Sequence, residues 1–211
     1  MSRWSKAAQF KKILAFALML AGFVCLAWTV WPLPQKSQTL TLTGPAADMM
    51  DEAQRQAAAG IKSWRITVQK PSFLRIDEAT RVSLTVEAVP DPSQALLEPQ
   101  YQLEAEARCD LVGMQHTPLG DIQTALLPGD TLHFDWQVTA SQPGSVTGVV
   151  WFYLDFVPLP GSQAKVLPPL PLSAQEITLR SVSLAGMNVA QARLLGLIGL
   201  ISGFGLLAVK L

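Results

Sequence analysis

Hydrophobic and polar positions follow three different periods along this chain of 211 residues. From Ile13 to Trp31, nineteen consecutive residues carry no charge. At about 1.5 Å of rise per residue, a helix of that length nearly crosses a hydrocarbon core of about 30 Å. A second uncharged run, the sixteen residues Leu194 to Val209, lies between Arg193 and Lys210. With Val189 to Ala192 included and Arg193 snorkelling outward, it too reaches membrane-spanning length.

Between these runs the period drops to two. Trp64, Ile66 and Val68 alternate with polar residues, as do Val82, Leu84, Val86 and Ala88. Tyr101 to Cys109 and Leu132 to Val138 repeat the pattern. Each run predicts a strand with one buried and one wet face, as in antiparallel sheets. Turn residues cluster between them, at Lys70-Pro71-Ser72, Pro90-Asp91-Pro92-Ser93, Pro118-Leu119-Gly120-Asp121, Pro128-Gly129-Asp130 and Ser141-Gln142-Pro143-Gly144. The run Val146 to Phe156 is apolar on both faces, which predicts either a central strand covered twice or an outer face that meets a partner. A last strand, Gln175 to Ser183, turns Ile177 and Leu179 inward. About seven or eight strands at this spacing predict a mainly β fold, an immunoglobulin-like antiparallel β-sandwich flanked by N- and C-terminal transmembrane helices.

A period of 3.6 appears once more, from Pro45 to Ala59. Ala46, Met49, Met50, Ala53 and Ala57 form one apolar stripe, opened by Gly44-Pro45 and closed by Gly60. This short amphipathic helix is expected to cover the core of its own domain, with the methionine pair as an alternative docking surface. The layout is therefore a cytoplasmic N-terminus (1–12), transmembrane helix 1 (13–32), a linker with the amphipathic helix (33–60), the extracytoplasmic sandwich (61–188), transmembrane helix 2 (189–209) and a cytoplasmic C-terminus (210–211).

Charge orients this layout. Arg3, Lys6, Lys11 and Lys12 precede the first span, and Trp28 and Trp31 close it. Cations stay cytoplasmic and Trp prefers the headgroup region, so the protein is expected in the cell (inner) membrane, two-pass, with both termini inside and the main domain periplasmic or extracellular. A cleavable signal peptide ending near Cys25-Leu26-Ala27 is the alternative for helix 1. A lipoprotein signal is disfavoured by the bulky Phe23 and Val24 before Cys25. Residues 33–188 hold ten cations against all sixteen acids, a net charge of −6. Nucleic acid is thereby disfavoured as a partner, and so are anionic headgroups as the main partner of the domain. The bilayer and other membrane-protein subunits remain.

Two segments invite contact. Gly196, Gly199 and Gly203 give the second span a smooth face, the spacing at which membrane helices approach closely. Helix 1 offers Ala15 and Gly22, or Ala17, Ala21 and Cys25, as its counterpart. The two helices pairing with each other is one reading, and docking on a larger complex is the sharper one. A lipid-anchor signal with attachment at Ser183, Ala185 or Gly186 is a third. The second segment, Val157 to Leu172, is proline-rich and greasy, with Leu159, Val166, Leu167 and Leu170 as candidate partner contacts. Packing back on the domain and contacting protein or bilayer are equally open there.

Chemistry is sparse. Cys25 and Cys109 lie in different regions, so no disulfide forms within the domain, and Cys109 is expected to be buried. Cys109, Met114, His116 and His133 are the residue types of a blue-copper site. However, Met114 precedes His116 in a middle segment, and alternation turns His133 outward and Cys109 inward, which favours structural roles. No G-x-S-x-G or triad spacing occurs. Glu104 and Glu106 read as a solvated pair on a wet face. No enzyme activity, metal or cofactor is expected.

Arg81 to Val89, the turn Leu127-Pro128-Gly129-Asp130 and the strand Phe134-Asp135-Trp136-Gln137-Val138 followed by Pro143-Gly144 together resemble bacterial immunoglobulin-like adhesion modules of the CARDB type. The resemblance spans roughly residues 61–183 and implies a fold and a binding habit, with no functional residue transferred. The expected role is a non-enzymatic accessory or assembly subunit of a membrane complex, docking through its helices and outer domain. The alternative is a membrane-anchored module for an extracytoplasmic ligand or for adhesion.

Overall fold

A computed structural model describes residues 2–43, 50–58, 60–93 and 100–208. Helices α1 (Ser2–Val30) and α3 (Val189–Ala208) bracket two five-stranded sheets and a one-turn-plus helix, α2 (Glu52–Ala57). The first sheet runs in the order β1 (Gln35–Thr43), β2 (Ile61–Pro71), β4 (Thr80–Pro90), β8 (Thr131–Thr139), β6 (Gln115–Thr117). The second runs β3 (Leu74–Arg75), β10 (Leu170–Val182), β9 (Gly144–Pro158), β5 (Tyr101–Leu111), β7 (Ile122–Leu126). All neighbours are antiparallel except the short β3, which runs parallel to the end of β10. The fold is a mainly β, immunoglobulin-like sandwich with an apolar helix at each end. Within these helices Gln9–Val30 and Val189–Ala208 are long and apolar enough to cross a membrane.

Alternation builds the core. The inward residues of β2, β4 and β8, from Trp64 to Trp136, face those of β5, β9 and β10. Phe152 sits at the centre, its ring 5.9 Å from that of Trp64 and 6.5 Å from that of Phe134. β5 contributes only Ala105, Ala107 and Cys109 at the matching height, so the aromatic rings take the space. Fully burying one such ring contributes roughly 1.5–3 kcal/mol.

Four expectations change. Helix 1 extends back to Ser2, ahead of the uncharged run from Ile13, because Ala, Gln and Lys are good helix formers. Residues 35–43, expected as linker, form β1, an edge strand exposed on both faces up to Thr41, where alternation carries no burial signal. Among the described residues the strands number ten: β3, β6 and β7 are two, three and five residues long, too short to show a period. Within Pro45–Ala59, the described residues form a helix over Glu52–Ala57. Asp51 caps it, accepting from Gln54 N at 2.8 Å while Gln54 Oε1 accepts from Asp51 N at 3.0 Å. Met50 is buried in the core, whereas Ala46 and Met49 lie outside the described residues.

Candidate functional site at the helix–sandwich junction

The two helices pair through absent side chains. A Cβ placed on Gly22 would lie 2.6 Å from Gly196 O, and one on Gly199 would lie 2.9 Å from Leu18 O. On Gly196 it would meet Leu26 Cγ at 2.7 Å, and on Gly203 it would strike Met19. Ala15 is fully buried beside this contact, while Ala17 and Ala21 remain exposed. Of the two smooth faces of helix 1, the structure uses Ala15 and Gly22. It also packs α1 against the face carrying Gly196, Gly199 and Gly203.

Where the helices meet the sandwich, a buried cation ties the ends together. β3 lies in the run Phe73-Leu74-Arg75-Ile76, and Arg75 is only 3% exposed. Its guanidinium donates to Thr29 O at 3.3 Å and to Trp31 O, and it pairs with Glu78 at 3.1 Å. The Trp28 ring lies 5.4 Å from its Cζ. The last carbonyls of a helix have no partner within the helix and carry partial negative charge, so a fork of donors suits them. Arg75 thus serves as the C-terminal cap of α1.

Two residues on, the same loop holds the start of α3. Asn188 and Gln191 form a reciprocal cap: Gln191 N donates to Asn188 Oδ1 at 2.8 Å and Asn188 N to Gln191 Oε1 at 3.1 Å. Asn188 Nδ2 also donates to Asp77 Oδ2 at 2.8 Å. Asp77 occupies the left-handed region (φ 60), a conformation that Asp tolerates, and its N–H donates to Ala140 O at 2.9 Å. The loop is anchored in turn by β3–β10 pairing and by Ile76 N donating to Val182 O at 3.2 Å. Only residues 31–34 separate α1 from β1, and residues 183–188 separate β10 from α3. One loop of the sandwich therefore grips both helix ends.

No catalytic constellation emerges among the residues weighed from sequence. Cys109 is buried between the sheets, where burial and then the Asp110 carboxylate push its thiol up to about 12. His133 lies on the outer face of the first sheet, 3.1 Å from Thr85 Oγ1. The two are on opposite sides of that sheet. Met114 is buried and His116 half-buried at the β6 edge, and no described group of three His, Cys, Asp or Glu converges as metal ligands. The proline-rich segment largely packs back: Leu170 is buried in β10, Leu167 packs on the core and Leu159 is half-buried, leaving Val166 outward. Gln54 Nε2 donates to Pro168 O at 3.2 Å and Tyr101 Oη to Lys165 O at 3.0 Å, which fastens it to α2 and β5.

Arg75 and Asp77 were not singled out by periodicity. Their one signal was a cation inside an apolar run, which demands a buried partner.

No protein-family model matches the sequence, and no curated protein matches it. Among solved structures, similarity is found to WR4, a C. elegans MSP family member, with 6% identity and a TM-score of 0.28, covering 52% of this chain and 91% of that one. The PapD-like (ASH) domain 7 of human CEP192 is similar with 9% identity and a TM-score of 0.30, covering 53% and 77% respectively.

Proposed function

We propose that the protein is a non-enzymatic accessory subunit of a membrane complex, with both termini cytoplasmic and the sandwich outside. The observation that carries this reading is the grip of the Arg75–Asp77 loop on both helix ends. Connections of four and six residues reach at most about 3.6 Å per residue. A sandwich so mounted holds one orientation close to the bilayer surface. That suits a partner in the same membrane better than a ligand on a distant surface, which a long tether would serve. With the glycine face packed against α1, contacts fall to the sandwich and the lipid-facing sides of the helices.

The test is to insert flexible twelve-residue Gly/Ser linkers after Pro32 and after Ser183, then purify the full chain in mild detergent. Parent protein is expected to carry a stoichiometric membrane partner, and the linker variant to fold and insert but lose it. Retention of the partner across the linkers would sink the fixed-mount reading. Thiol labelling of Val112→Cys from outside intact cells, with Ser2→Cys protected, reads the orientation.

A second reading, the ligand-binding or CARDB-type adhesion module, has one observation in its favour. A shallow depression on the first sheet is lined by Gln35, Gln69, Arg81, Ser83, Thr85 and His133. Three of its six residues are already engaged with neighbours, Arg81 with Asp135 at 2.5–2.6 Å and Thr85 with His133, and it shows no grip comparable to the Arg75–Asp77 loop. The first reading is therefore preferred.

A further inference from the structure

β9 is the central strand of the second sheet, and its outer face carries apolar and aromatic side chains. Val149, Trp151 and Tyr153 stand on it, each half-buried, with the two rings stacked 6.0 Å apart at 18°. A two-layer sandwich covers this strand on its inner side only. Beside the rings, cross-strand register places Glu104 opposite Asp155, Glu106 opposite Tyr153 and Arg108 opposite Trp151. Arg108 is engaged by Asp110 at 2.7 Å. Glu104, Glu106 and Asp155 form no ion pair with a described residue. Glu106 instead accepts from Gln123 at 2.8 Å, and Glu104 from Gln102 at 3.4 Å. Like charges side by side on a sheet disfavour one another. Consistently, burial and the adjoining Glu106 and Glu104 push the Asp155 carboxyl up to about 6.

Aromatic faces attract cations, most strongly where water is excluded, and carboxylates at the rim add direct pairing. We propose that this face docks a basic segment of a protein partner, with Arg or Lys side chains over Trp151 and Tyr153 and between Glu104, Glu106 and Asp155. The carboxylates are spread along two strands, which fits several cationic side chains of one extended segment rather than a single metal ion. This rests on the accessory-subunit reading and names the chemistry of the partner's contact.

The probe is an acetylated, amidated hexa-arginine peptide titrated by calorimetry into the full chain in phosphatidylcholine nanodiscs, a lipid without net charge. Saturable one-to-one binding is expected. Trp151→Ala/Tyr153→Ala should weaken it about tenfold or more, as should Glu104→Gln/Glu106→Gln. Trp151→Phe, which keeps a ring, should retain most of the affinity. Glu52→Gln/Glu87→Gln removes the same charge elsewhere and should leave binding unchanged. Unfolding temperatures confirm that each variant is folded. Absence of binding overturns the proposal, as does equal weakening by Glu52→Gln/Glu87→Gln, or indifference to loss of both rings. A membrane partner that still co-purifies when peptide binding is absent overturns this face alone and leaves the accessory reading standing. Peptide binding without any co-purifying partner does the reverse.

Discussion

The helix pair and the sandwich core are both close-packed, yet they reach contact by opposite means. In the sandwich, Trp64, Phe134, Trp136 and Phe152 fill the space between sheets, and exclusion of water drives them together. Between the helices, Gly22 and Gly199 bring backbone against backbone, and Gly196 and Gly203 leave the room that Leu26 and Met19 of α1 fill. Lipid tails are as apolar as Leu, so burying a bulky group there gains little, and close approach supplies the attraction instead. Removing bulk should therefore harm one region, and adding bulk should harm the other.

Trp136→Ala tests the first half of this contrast and carries the largest expected effect. Emptying a fully buried Trp site costs about 3–5 kcal/mol, a large share of the roughly 5–15 kcal/mol that holds a domain together. Thermal unfolding followed by near-ultraviolet circular dichroism should show a markedly lower transition, while α1 and α3 still pair in nanodiscs. A core that tolerates the change would show that the sandwich does not depend on its aromatic centre.

Gly199→Leu probes the converse. Its Cβ would already lie 2.9 Å from Leu18 O and 3.2 Å from Gly22 Cα, both main-chain atoms that cannot turn away. Overpacking of this kind costs about 1–3 kcal/mol. Disulfide cross-linking between cysteines introduced on α1 and α3 should drop sharply, with the unfolding temperature of the sandwich preserved. Gly205→Leu is the matched control, because nothing lies within 4 Å of a Cβ there. Equal cross-linking in both variants would refute glycine-mediated pairing.

The smallest expected effect concerns the junction that couples the two regions. Asn188→Ala removes the cap of α3 and its tie to Asp77, at about 1 kcal/mol for the cap. Amide exchange over residues 189–193 should accelerate while the core amides of β9 stay protected. Asn188→Asp sharpens the comparison, since it restores a capping oxygen but sets a second carboxylate against Asp77. Exchange in α3 should recover, and the sandwich should loosen from the helices. Identical behaviour of the two variants would mean that the cap and the tie are not separable.

Hydropathy and period alone fixed the broad plan: two uncharged runs too long for an ordinary buried segment, and inward residues such as Ile66, Leu84 and Phe134 marked by strict alternation. These are properties of consecutive residues, so they survive without any knowledge of neighbours. Strands with little buried surface, β1 above all, left only a faint trace, the short alternation of Leu40 and Leu42 with threonines. The choice of Gly22 over Ala21 as the contact on α1 depended on how the helices rotate against each other. The grip of Arg75 and Asp77 on the helix ends joins residues 44 to 111 positions apart in sequence. Such contacts are specified by three-dimensional approach, and a lone Arg beside Leu74 and Ile76 announces only that a partner for its charge must exist. Which partner it finds, the end of a membrane helix, was decided by the tertiary structure.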